Sequence, residues 1–80
     1  MAKFEIATTP EAQAKVYEVL KQVQGKTIAV AAIAKLAKMN SSKVRYVILD
    51  LIDLGKVKRK QEKAFNEHYI RYSYEILSAL

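Results

Sequence analysis

The chain reads as a small α+β domain: three helices followed by a C-terminal two-stranded β-hairpin. Three observations predict this. Helix punctuation marks the chain before Gly55, with Thr9-Pro10-Glu11 opening the first run, Gly25 ending it, and Asn40-Ser41-Ser42 opening the last. The apolar residues between these marks recur at helical spacing. After Gly55 the pattern changes period: Ile70, Tyr72, Tyr74 and Ile76 alternate with Arg71, Ser73 and Glu75, as they do along a half-buried strand.

Residues 1–8 alternate weakly, with Phe4 and Ile6 against Lys3 and Glu5, which fits a short strand or an ordered arm. The first helix is expected over residues 10–24. Thr9 caps it, Pro10 occupies its first turn, and Ala12, Val16, Val19, Leu20 and Val23 form its buried stripe before Gly25 ends it. Gly25-Lys26-Thr27 resembles the end of a phosphate-binding loop, but that pattern needs a preceding strand and a glycine where Leu20 stands. It is a turn. Thr27–Val30 fits a very short strand, and residues 30–38 a second helix with Val30, Ile33, Leu36 and Ala37 inward and Lys35 and Lys38 outward. Its alanines give high helix propensity and permit close packing.

The third helix, residues 41–54, organises the rest. At about 100° per residue, Val44, Val47, Ile48, Leu51, Ile52 and Leu54 gather on one broad face. Ser42, Lys43, Tyr46, Leu49, Asp50 and Asp53 lie opposite, with Arg45 on the flank. A hydroxyl, two cations and an aromatic shown to solvent in the first turns suit an element that enters a nucleic-acid groove. Residues 56–76 then form the hairpin, with Asn66-Glu67-His68 at its tip.

Composition narrows the function classes. Eighty residues make one domain, 1–80, burying roughly 60% of its unfolded surface. Without cysteine there is neither a disulfide framework nor a thiolate zinc site. One histidine and two glycines leave no paired base and nucleophile, no metal cluster and no phosphate cradle, so no enzyme, cofactor or metal is expected. No small-molecule ligand is evident. No run has signal-peptide or membrane-span length, so no membrane is expected, and an intracellular, cytoplasmic and nucleoid-associated place is. Residues 1–25 carry no net charge, whereas residues 26–80 carry the whole +6. A basic part beside a neutral one points to a polyanionic partner.

The order helix, short strand, helix, turn, helix, basic hairpin resembles the winged helix-turn-helix superfamily of DNA-binding domains, in particular small regulators of prokaryotes, plasmids and viruses. The similarity covers Thr9 to Ile76. Its most family-like run is Ile28–Lys58, where Leu51, Ile52 and Gly55 lead into the basic-apolar-basic Lys56, Val57 and Lys58. The resemblance implies a three-helix bundle with a two-stranded wing and sequence-directed binding of double-stranded DNA, as a transcriptional or replication regulator. It implies that Ser41 and Ser42 hold a phosphate at the groove edge, and that Lys43, Arg45 and Tyr46 reach bases or backbone. Leu49 meets either a thymine methyl or a dimer partner. Lys35 and Lys38 grip the backbone, and Lys58, Arg59, Lys60 and Lys63, with Arg71 across from them, line up over an adjacent phosphate run.

Each residue also has a plainer reading. Ser41 and Ser42 serve as caps, Tyr46 packs on a neighbour, Tyr72 and Tyr74 are core, His68 is a solvated turn residue, and Asp50 and Asp53 pair with Lys43, Arg45 or Lys56. The competing function is a similar module that binds RNA or a protein within a larger assembly. The exposed apolar candidates Phe4, Ile6, Leu49, Leu77 and Leu80 suggest a homodimer that presents two recognition helices to a palindromic site.

Overall fold

A computed structural model describes residues 8–62 and 71–79. Helix α1 (Pro10–Gln22) is followed by the two-residue strand β1 (Thr27–Ile28), then α2 (Val30–Ala37) and α3 (Ser41–Asp53). Strands β2 (Val57–Glu62) and β3 (Arg71–Ile76) complete the chain. Three helices and a three-stranded antiparallel sheet thus make a small α+β domain.

The helix starts follow the local chemistry. Thr9 accepts from the Ala12 amide through its hydroxyl at 3.1 Å, and Asn40 Oδ1 accepts from the Ser42 amide at 2.8 Å. Asn40 is therefore the cap of α3, and Ser41 and Ser42 already lie in its first turn, so neither serine caps it. Helix ends fall slightly short of expectation. The first helix stops at Gln22 rather than residue 24, because Val23 leaves helical geometry and the chain turns through Gly25 at φ +84°. The second stops at Ala37. Lys38, expected to be helical, takes φ 57°, ψ 48°, and its amide and that of Met39 bond back into the last turn of α2. The third stops at Asp53, and Gly55 turns the chain into β2 at φ +74°.

The sheet has one more strand than a simple hairpin. Thr27 pairs with Ser73 and Ile28 with Tyr72, so β1 lies beside β3 and the order is β1-β3-β2. Beyond β1 the turn covers the same edge: Gly25 donates to Tyr74 O, and Gln24 Oε1 accepts from the Ile76 amide at 2.8 Å. In β2–β3 the register places Val57 opposite Ile76, Arg59 opposite Tyr74 and Gln61 opposite Tyr72 on one face. Lys58 opposite Glu75 and Lys60 opposite Ser73 occupy the other. Since Val57 and Tyr74 are buried, the first face is the one turned to the helices.

Val16 and Leu20 from α1, Ile33 from α2, Val44, Val47, Ile48 and Leu51 from α3, and Val57 and Tyr74 from the sheet form one closed core. Two expected core leucines lie outside it, Leu36 at 55% and Leu54 at 56% exposure. In α2 the small Ala34 and Ala37 face the bundle beside Ile33, and Leu36 stands about 110° away from the centre of that stripe. Leu54 falls past the last turn of α3, so the periodicity no longer aims it. Tyr17 Oη donates to Ser78 O at 2.9 Å, and the Leu77 amide donates to Lys56 O, which ties the end of β3 to α1 and to the α3–β2 turn.

Candidate nucleic-acid interface

Burial of Val44, Val47, Ile48 and Leu51 fixes the rotation of α3 and thereby what it shows outward. Asn40, Ser41, Ser42, Lys43, Arg45, Tyr46 and Leu49 are all exposed, so the start of this helix is open to solvent. Tyr46 is 50% exposed. The positive end of the helix dipole and two cations therefore share one surface.

The first turns of α1 and α3 lie side by side. Thr9, Glu11, Ala12, Lys15, Met39, Asn40 and Lys43 line a concavity of about 250 Å³ between them. Lys15 was not among the sequence candidates. Its contribution depends on a helix–helix contact, and its own surroundings, an exposed position on α1 in the uncharged part of the chain, gave no signal.

The acidic half of α3 also differs from expectation. Asp50 is half-buried and accepts from Thr8 Oγ1, which in turn accepts from Gln13 Nε2 at 3.0 Å. It therefore joins α3 to the start of α1 instead of pairing with Lys43, Arg45 or Lys56. Asp53 stays exposed one turn further on. Within α3 itself, only the first half thus offers an anion an approach free of the helix's own carboxylates, with Glu11 of α1 beside it across the concavity.

The ribbon cations do not line up as expected. Successive side chains of a strand point to opposite faces, so Lys58 and Lys60 lie on the face turned away from the helices. There they line a hollow of about 370 Å³ with Gln24, Gly25, Ser73, Tyr74 and Glu75. Arg59 turns to the helix side, with its guanidinium carbon 4.3 Å from the centroid of the Tyr72 ring. Arg71 is exposed and opposes Glu62 at the far end of the pair. Lys63, Tyr69, Ile70 and the expected tip Asn66-Glu67-His68 lie outside the described residues, as do Phe4, Ile6 and Leu80.

On α2, Lys35 and Lys38 are both exposed. Lys35, Lys38, Lys43, Arg45, Lys58 and Lys60 have no carboxylate within ion-pair distance among the described residues. Leaving this many cations unneutralised stores positive potential that a polyanion would relieve. No described group of three or more histidines, cysteines or carboxylates is placed to hold a metal ion, and no described helix is long and apolar enough to cross a membrane. No protein-family model, curated protein or solved structure matches the chain.

Proposed function

We propose that this chain is a winged helix-turn-helix domain that binds double-stranded DNA in a sequence-directed way, as a transcriptional or replication regulator. The observation that carries the reading is the exposed amino-terminal half of α3, where Ser41, Ser42, Lys43, Arg45 and Tyr46 face solvent from a helix anchored by four buried residues. Such an element fits the width of the major groove, and an arginine there pairs best with guanine edges. Lys35 and Lys38 on α2, with Lys15 and Lys43 beside the α1–α3 concavity, supply phosphate contacts that fix register. Lys58 and Lys60, on the far side of the sheet, are secondary in this arrangement. Two copies joined through exposed apolar residues such as Leu49 or Leu77 would read two half-sites about one helical turn apart.

The test is binding to duplex DNA, single-stranded DNA and structured RNA over a salt series, with a preferred duplex selected from a random pool. Three to five phosphate contacts give a log–log salt slope of about −3 to −5. Arg45→Ala should cost roughly tenfold or more on the selected duplex and much less on a random one. Preference for single strands or RNA would overturn the duplex reading.

A second reading has one observation in its favour. Tyr46 and Leu49, 50% and 43% exposed, put apolar surface at the middle of the α3 face, which suits a protein partner as well as a thymine methyl. Duplex affinity unchanged by Tyr46→Ala and Leu49→Ala, together with lost self-association, would assign that pair to a protein contact.

A further inference from the structure

Two half-exposed leucines meet at one corner of the domain. Leu54 ends α3 at 56% exposure, and Leu77 follows β3 at 51%. The Leu77 amide donates to Lys56 O at 2.8 Å, which holds the segment after β3 against the α3–β2 turn. From α1, Tyr17 Oη donates to Ser78 O, so the first helix borders the same corner. The charges around it balance. Lys21 lies over the Tyr17 ring and pairs with Glu18 at 3.7 Å. Asp53 and Lys56 stand on either side of Leu54 in the chain, and neither has an opposite charge within ion-pair distance among the described residues. Two acids and two lysines thus sum to zero on a chain of net charge +6. Copies of so basic a chain repel each other on most approaches, and a neutral face with an apolar centre is where they meet at least cost.

We propose that this corner is the self-association face of the chain, and that its occupant is a second copy related by a two-fold axis. Such a contact brings one residue of each copy to a different residue of the other, reciprocally. Leu54 and Leu77 form the apolar centre, and Asp53 of each copy faces Lys56 of its partner. The rival apolar pair, Tyr46 and Leu49, shares the exposed side of α3 with Ser42 and Arg45, so joining there would cover the groove-reading residues. The corner lies instead at the carboxyl end of α3. Ser42 and Tyr46 precede Leu54 by twelve and eight residues, or about 18 and 12 Å along the helix. Two α3 helices meeting at their carboxyl ends set their reading turns up to about 35 Å apart, which matches half-sites one helical turn apart. The contact is small beside the roughly 800 Å² per partner of a standard interface, so its affinity is micromolar and adjacent half-sites reinforce it. The half-site geometry rests on the DNA reading; the face itself does not.

The experiment is sedimentation equilibrium of the full chain without DNA, from about 10 to 500 μM. The mass should rise towards that of a dimer across this range. Leu54→Ser and Leu77→Ser should each weaken association about tenfold, whereas Leu36→Ser, equally exposed on α2, should leave it unchanged. Asp53→Lys and Lys56→Asp each set like charges opposite one another and should weaken association about fivefold, and the double swap should restore it. A parallel arm measures binding to duplexes whose two half-sites are one turn or one and a half turns apart. The native chain should prefer the first, and Leu77→Ser should bind both alike. Native association in Leu77→Ser, loss of association in Leu49→Ser, or a double swap that restores nothing would each overturn the proposal. Self-association without any duplex binding would uphold the face and overturn the DNA reading. Duplex binding by a chain that stays monomeric throughout would do the reverse.

Discussion

The guanidinium carbon of Arg59 stands 4.3 Å from the centroid of the Tyr72 ring on the neighbouring strand, two register positions from its direct partner Tyr74. This diagonal contact takes one cation out of the expected basic row and places it on the helix-facing side of the sheet. A cation over a partly buried ring contributes about 0.5–2 kcal/mol. Arg59→Ala should therefore lower unfolding free energy by about 1 kcal/mol in urea titrations, and Lys58→Ala, on the exposed face, by less than 0.5 kcal/mol or so.

Tyr74 gives the opposite expectation. Its hydroxyl is buried with no acceptor for its proton, while its oxygen faces the Arg59 guanidinium, so Tyr74→Phe should change stability by no more than about 1 kcal/mol. The pH dependence has a definite sign. The folded-state pKa is pushed up to about 12 from an ordinary value of 10.0, so the unfolded chain releases this proton first. The contribution is fully present below pH 10 and disappears as pH rises towards 12. Native protein should lose roughly 2 kcal/mol more than Tyr74→Phe across that interval, measured by urea unfolding at each pH.

Lys38 holds a left-handed conformation that a side chain disfavours by about 1–2 kcal/mol. Lys38→Gly removes that cost but loosens the unfolded chain. A net gain of about 0.5 kcal/mol is expected in thermal unfolding. On the proposed reading, in which Lys38 meets the phosphate backbone, the same variant should weaken duplex binding about equally on all sequences.

Gly55 is the converse case. A Cβ there would meet nothing within 4 Å, yet φ is +74°. Gly55→Ala should cost about 1 kcal/mol from backbone strain alone, with no change in the packing of Val57 or Leu51.

Most of the architecture was legible because its signals are local. Thr9-Pro10, Asn40, Gly25 and Gly55 fixed the helix limits to within two residues, and strand alternation put Tyr74 inward. What escaped depends on contacts between distant segments. Leu36 looked buried by spacing, but Ala34 and Ala37 let the bundle close on the other side of α2. The acceptor role of Asp50 depends on Thr8, which lies 42 residues away in sequence. The division of Lys58, Arg59 and Lys60 between two faces follows from strand geometry and was readable from the sequence. The expectation of one basic row weighed charge over alternation.

The most direct measurement is an amide shift map of the full chain on addition of a selected DNA duplex. The largest changes should fall within residues 41–46, with smaller ones at Lys15, Lys35, Lys38 and Arg59. Changes confined to Lys58, Lys60 and Glu75 on the outer sheet face, or none anywhere, would contradict a role for α3 in reading DNA.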